Sequence, residues 1–259
     1  MGASLRDTGY PAKAGKGAFG SESTDFFEFE SLLGVYPFLA SGTLRGNFIV
    51  SDDGCVSVAG SSRGISNPED LKLLIHLRQV STGLIVGRKT AVAESYRPPK
   101  ARPEYSQSRM ELGLPLRPLL VVVTSSPQFA HSFRPEHQDV TSPILFGLLG
   151  GAGSMVKSPD PGRVILPLPP ADEGVSLLLE TLFERYPGPW LSEGGLTLLK
   201  SFSGLGLLDE LCLTVSHRSV GDDCDQRVEI LSELGIGSDV LSDVDTEEAR
   251  YLRYEATNR

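Results

Sequence analysis

The chain has 259 residues, a hydrophobic fraction of 40%, a charged fraction of 22% and a formal net charge of -9. That acidity argues against a partner held through a phosphate backbone, so no nucleic acid is expected. A phosphorylated small molecule stays compatible, because one arginine and one helix start can hold it locally. No apolar run approaches the roughly 20 residues of a membrane span, and the amino-terminal residues lack the basic, apolar, small-residue order of a signal peptide. No membrane partner and a cytoplasmic location are the expectations. Cys55, Cys212 and Cys224 are scattered, odd in number and without a C-x-x-C pair, so neither a zinc site nor a disulfide framework is expected. Cys212, inside LCLTV, reads as core.

Residues 1–24 are rich in Gly, Ala, Ser and Lys with almost no aliphatic content, and read as a mobile arm. Residues 25–42 carry aromatics that pack on a domain edge. GNFIVSDDGCVSV (46–58) predicts a strand, a turn at Asp52-Asp53-Gly54 and a short return strand. NPEDLKLLIHLRQV (67–80) predicts a helix: Asn67 can cap, Pro68 suits the first position, and Glu69 and Asp70 complement the dipole. Leu71, Leu74, Ile75 and Arg78 would share one face at helical spacing.

GLIVG (83–87) predicts a strand, with a helix beginning near Arg88. The proline-rich stretch 97–117 reads as an extended surface insertion. PLLVVVTSS (118–126) is a β-branched run ending in hydroxyl residues, and ILFG (144–147) and RVILP (163–167) are further strands. EGVSLLLETLFERY (173–186) is an amphipathic helix. WLSEGG (190–195) is a strand entering a glycine turn, followed by a helix over 196–206. LDELCLTVS (208–216) and EEARYLRYEAT (247–257) close the chain as strands. The alternation predicts one α/β domain over 25–259, with a mixed, mostly parallel central sheet, helices on both faces and antiparallel C-terminal strands.

In such sheets ligands bind beyond the carboxyl ends of the strands. Three strand ends share small residues, hydroxyls or free amides suited to phosphate oxygens: Arg88-Lys89-Thr90, Thr124-Ser125-Ser126 and Gly194-Gly195-Leu196-Thr197. The glycine pair is the sharpest of these, because side-chain-free backbone lets a bulky anion approach the following helix start. Read alone, a Gly-Gly is more often a tight turn without a ligand. No G-x-G-x-x-G follows any strand and no Walker-type lysine is present. The four histidines lack the surroundings of a catalytic or metal site.

SEGGLTLLKSF (192–202) followed by LLDELCLTVS (207–216) resembles the closing part of the pyrimidine reductase domain of riboflavin biosynthesis, a member of the dihydrofolate-reductase-like superfamily. NFIVSDDG (47–54), SSRGISNPEDLKLLIHLR (61–78) and GLIVGRKTAVAES (83–95) are similar to its opening segments, in the same order. The resemblance implies a dihydrofolate-reductase-like fold and NADPH-dependent hydride transfer to the ribosyl C1′ of a 5-amino-6-(5-phosphoribosylamino)uracil-type substrate. It implies substrate contacts at Asn47, Ser62, Arg78 and Glu193, the arginine serving the phosphate and Glu193 the pyrimidine ring. It places Asp53 and Glu193 as catalytic candidates, although Asp53 reads equally well as an Asp-Gly turn. It implies cofactor contacts at Gly64, Gly87, Thr90, Glu94, Thr124, Ser125, Gly194, Gly195, Leu196 and Thr197, no metal, and a homodimer, for which the apolar segment 26–39 looks exposed.

The sequence departs from the family pattern at Asp52, where a hydrophobic residue is usual, and at Gly64, Ser81-Thr82 and Leu196. No arginine stands beside the hydroxyls of Thr124-Ser125-Ser126. The zinc deaminase partner domain is missing, since no H-x-E or P-C-x-x-C occurs. Two rival readings follow: a reductase of a dihydrofolate or other pterin, motivated by Gly87-Arg88-Lys89-Thr90, and a cofactor-binding paralogue without catalysis, motivated by Asp52.

Overall fold

The computed structural model describes residues 25–135, 143–151, 156–157, 160 and 162–256. The expected arm over 1–24 lies outside the described residues. In chain order the elements are α1 (Phe29–Val35), β1 (Leu44–Ser51), α2 (Pro68–Gln79), β2 (Gly83–Gly87), α3 (Arg88–Ala93), α4 (Pro103–Glu111), β3 (Leu119–Thr124) and α5 (Pro127–Ser132). They continue with β4 (Ile144–Leu149), β5 (Val156–Lys157), β6 (Arg163–Leu168), α6 (Ala171–Arg185), β7 (Trp190–Ser192) and α7 (Leu196–Gly204). The chain ends in β8 (Glu210–Ser216), α8 (Ile230–Leu234), β9 (Val240–Asp245) and β10 (Ala249–Glu255). Among the described residues the strands form one sheet in the order β5-β6-β4-β3-β2-β7-β1-β8-β10-β9. The seven from β6 to β8 run parallel, while β5, β9 and β10 are antiparallel to their neighbours.

Each face of the sheet carries its own core. Alternation along β1 sends Leu44 and Val50 to the face covered by α6 and α7, with Leu178, Leu199 and Phe202. The other face holds Leu84, Val86, Leu73 and Leu77 together with Phe26, Phe27 and Tyr36. The aromatic segment after residue 24 is therefore buried in the core, which removes the exposed surface on which the dimer expectation leaned. No described helix is long and apolar enough to cross a membrane.

Four readings of the sequence are corrected. The buried side of α2 runs through Asp70, Leu73, His76 and Leu77, whereas Leu71 is 52% exposed. Two polar residues are drawn into the core there, and that masks the apolar period. Residues 97–117 contain α4, started by Pro103 and anchored by buried Tyr105 and Arg109; the arginine donates to the carbonyls of Gln79, Ser81 and Pro115. The return strand after Gly54 is absent, replaced by isolated bridges and a short helical turn at Ser62–Gly64. Cys55 and Cys224, 169 residues apart, form a disulfide, against the expectation of none; Cys212 is a buried free thiol.

Candidate active site

The site begins with a strand that stops early. Strand β7 pairs with β1 and β2 for three residues, ending at Ser192 opposite Gly46 and Ile85. Beyond that level β1 continues to Ser51 against β8 while β2 continues to Gly87. A notch opens between them, and Glu193-Gly194-Gly195 turns through it. The turn is tied to β2 by Glu193 N donating to Ile85 O at 3.0 Å and Gly87 N to Gly194 O at 2.7 Å. The Gly194–Gly195 peptide is cis, and Gly194 has φ +80°.

This corner leaves space only because it lacks side chains. A Cβ on Gly195 would lie 2.8 Å from the Thr90 hydroxyl, and one on Gly194 would meet Phe48 at 3.7 Å. Helix α7 starts directly from Gly195 with no side-chain cap. The first amides to bond back belong to Leu198 and Leu199, so the Leu196 and Thr197 amides are free among the described residues. Free amides at the positive end of a nine-residue helix form a receptor for an anionic group. The corner fits a dinucleotide's diphosphate.

A polar stripe lies beside it on the α2 face of the sheet. Glu193, 7% exposed, accepts from Arg78 at both oxygens, 2.7 Å from Nε and 2.6 Å from Nη2. The Tyr96 hydroxyl donates to the same carboxylate at 2.5 Å, and the Tyr96 ring lies 5.2 Å from the guanidinium carbon. Burial pushes the Tyr96 hydroxyl well above its ordinary range, aided by the neighbouring Glu193 charge. Burial opposes the Arg78 charge, yet Glu193 more than offsets it and raises the guanidinium further. The Tyr96 oxygen also accepts from the Arg78 guanidinium, and the Arg78 side chain is 23% exposed. Asn47 belongs to the same face, since its neighbours Gly46 and Phe48 turn to the opposite core.

Asp70 completes the stripe and was missed as a site residue, having been read only as a dipole complement. It is buried in the first turn of α2, its carboxylate accepting from Ser66 at 2.7 Å while its backbone amide donates to Asn67 Oδ1 at 2.8 Å. Burial pushes its carboxyl above the usual range, partly opposed by hydrogen bonding from Ser66 and the nearby Thr214. The Thr214 hydroxyl is fully buried against this carboxyl. A buried carboxyl pushed above its usual range beside the Thr214 hydroxyl makes Asp70 a candidate site residue.

The remaining sequence candidates fall into three groups. Glu94 accepts from the Ser61 hydroxyl, the Ser62 amide and the Ser62 hydroxyl, so α3 pins the turn containing Ser62 and Gly64. Asp53 is locked away from the stripe by Ser51, Arg227 and the amides of Val220 and Gly221. Partial burial works against its charge, but these bonds outweigh it and hold the carboxyl well below the usual range. At the end of β3, Thr124 Oγ1 accepts from Ser126 N, and the exposed Ser125 lies between them. Arg88 reaches this turn from α3, its guanidinium carbon 5.8 Å from the Phe129 ring, while Phe129 N donates to Ser126. The pairing of β2 with β3 brings the start of α3, and with it Arg88, alongside the segment that follows β3.

Comparison with known proteins agrees with this arrangement. A pyrimidine reductase-like protein from Corynebacterium diphtheriae is 19% identical with a TM-score of 0.68, covering 88% of this chain and 98% of that one. The Thermotoga maritima diaminohydroxyphosphoribosylaminopyrimidine deaminase/5-amino-6-(5-phosphoribosylamino)uracil reductase is 16% identical with a TM-score of 0.58, over 82% of this chain and 56% of that one. The present chain therefore spans little more than half of that bifunctional protein. Dihydrofolate reductase from Enterococcus faecalis, complexed with NADP(H), is 17% identical with a TM-score of 0.50, over 85% and 99%. No curated protein matches. The RibD C-terminal domain model matches residues 43–228, which take in β1, the glycine corner and the whole polar stripe. The chain belongs to the RibD C-terminal domain family and has a dihydrofolate-reductase-like fold.

Proposed function

We propose that the chain is an NADPH-dependent reductase of a phosphoribosylamino-pyrimidine. The observation that carries this reading is the side-chain-free corner at Gly194-Gly195, with two free amides, set beside the stripe Asn47, Glu193, Arg78 and Asp70. Leu196 and Thr197 amides would hold the diphosphate, with Gly87 and Thr90 on its other side. Arg88 and the Thr124–Ser126 turn would hold the adenosine 2′-phosphate. NADPH, when bound, supplies a hydride.

The protein's own residues do the rest. Glu193, fixed by Arg78 and Tyr96, orients the pyrimidine ring, and the exposed part of the Arg78 guanidinium takes the phosphate or a ring carbonyl. As the ribosyl C1′ is reduced, the bond from C1′ to the ring oxygen opens, and Asp70 hands that oxygen a proton. Tyr96 acts through Glu193 and Arg78, so it is a positioning residue. The absorbance of reduced cofactor, followed with purified protein and the phosphoribosylamino-pyrimidine, tests the reading. Turnover supports it; NADPH binding with no turnover favours the paralogue without catalysis.

Two variants sharpen the test. Arg88→Ala should lower the preference for NADPH over NADH about tenfold, the worth of one charge-assisted contact; an unchanged ratio removes Arg88 from the site. Glu193→Ala should cut kcat/KM for the pyrimidine about a hundredfold with NADPH affinity kept. It also strands Arg78 and the Tyr96 hydroxyl, costing about 1–2 kcal/mol of stability, because Arg78 is partly solvated. Equal activity in that variant contradicts the assignment. The Gly87–Thr90 turn and Asp52 favour a second reading, a dihydropterin substrate, and turnover of each substrate class separates the two.

A further inference from the structure

We propose that the Cys55–Cys224 disulfide is a reversible redox clamp on the loop pair that roofs the carboxyl ends of β1 and β8. The bond joins the connection after β1, which carries Asp53 and Ser62, to the connection after β8. Around it the two loops are laced by Asp52 N to Arg218 O, Val56 N to Gln226 O, Asp225 N to Ser57 O and Val228 N to Gly54 O, all between 2.9 and 3.0 Å. The Asp225 carboxylate accepts from the Ser57 hydroxyl and the Gly60 amide, and Arg227 reaches Asp53 at 3.0 Å.

These ties are weak individually. Most residues from Arg218 to Arg227 are exposed, and the Arg227 side chain is 48% exposed, so water competes for each bond. The covalent link is the dominant constraint, and it closes a segment of 169 residues. Most of both cores lies in the sheet and its helices, and of the loop pair only Val56 and Val228 join them, so the rest of the fold does not depend on the link.

The two sulfurs differ in access. Cys55 is wholly buried, whereas Cys224 is half-buried on the outer loop. A dithiol reductant therefore attacks Cys224 Sγ through its thiolate. The Cys55–Cys224 bond breaks, Cys55 leaves as a thiolate and takes a proton, and a mixed disulfide forms at Cys224. The second thiol of the reductant displaces Cys224, so the protein disulfide gains two electrons and the dithiol becomes a disulfide. A disulfide oxidant runs the same steps backwards. In the reduced form the loop pair stays folded but opens locally, and the seat of Asp53 and of the Ser61–Ser62 turn loosens.

The test uses the full chain without its proposed substrate, so it stands apart from the reductase reading. Alkylation in denaturant of protein held under oxidising conditions should modify Cys212 alone; after treatment with dithiothreitol all three cysteines should be modified. On reduction, trypsin cleavage after Arg218 and Arg227, and amide exchange at Asp52, Val56, Asp225 and Val228, should rise about tenfold. Reoxidation should restore both, and a Cys55→Ala/Cys224→Ala variant should behave as the reduced form whatever the redox state. Three alkylated cysteines under oxidising conditions, unchanged cleavage and exchange on reduction, or cooperative unfolding of the whole chain on reduction would each overturn the proposal.

Discussion

Replacing Gly195 with alanine should cost NADPH about a hundredfold in affinity while leaving the fold intact. The added methyl carbon would sit 2.8 Å from the Thr90 hydroxyl, so Thr90 or the turn must shift. A shift of the turn moves the free Leu196 and Thr197 amides out of line with the anion they receive, and a turn of the Thr90 side chain takes its hydroxyl out of the corner. Two charge-assisted hydrogen bonds are worth about 3 kcal/mol together, which is about a hundredfold in binding. The substitution buries no charge and empties no core space, and Gly195 has φ -55°, so alanine brings no left-handed strain there. Titration by cofactor fluorescence reads the loss directly. Unaltered affinity would place the diphosphate elsewhere.

The second large effect concerns Asp70. Asp70→Asn should reduce turnover about a thousandfold, the usual scale for losing a positioned proton donor, while making the protein more stable at neutral pH. The sign follows from the raised carboxyl. An acid with a higher pKa when folded holds its proton more tightly in the native state. Stability is therefore lost as pH rises from the unfolded pKa through the folded one, and it stays lost above. Asparagine fills the same space and carries no charge to bury, so that loss disappears. Thermal melts of both proteins at acid and neutral pH should converge at the acid end and separate at the neutral end. A variant that is less stable at neutral pH, or equally active, would contradict the role.

Much of the fold was legible because the signals are local. The Asn67 cap does bond the Asp70 amide, at 2.8 Å, the β-branched run at Leu119–Thr124 becomes a strand parallel to both neighbours, and Glu210–Ser216 pairs parallel with β1 and antiparallel with β10. Strand β9 escaped notice because it is a half-exposed edge of mixed polarity, with only β10 beside it to give it an apolar face. The site was harder to read, because its meaning lies in tertiary pairing. Arg78 and Glu193 were read as separate substrate contacts, yet they stand 115 residues apart and meet as a fork on one carboxylate. Arg88 gained its relevance only when β3 was laid beside β2. Asp70 carries an ordinary helix-start signature, and nothing local distinguishes a solvated first-turn aspartate from one pressed against the sheet. The disulfide was invisible for the same reason, since two cysteines at such a separation imply no pairing by themselves.

The most direct measurement follows the hydride itself. The purified chain is incubated with NADPH deuterated at the transferable position and with the phosphoribosylamino-pyrimidine, and the product is read by mass spectrometry and NMR. One deuterium on the former ribosyl C1′, in an opened ribityl chain, is the predicted result. Unchanged sugar, with the cofactor neither bound nor oxidised at saturating supply, would contradict the account.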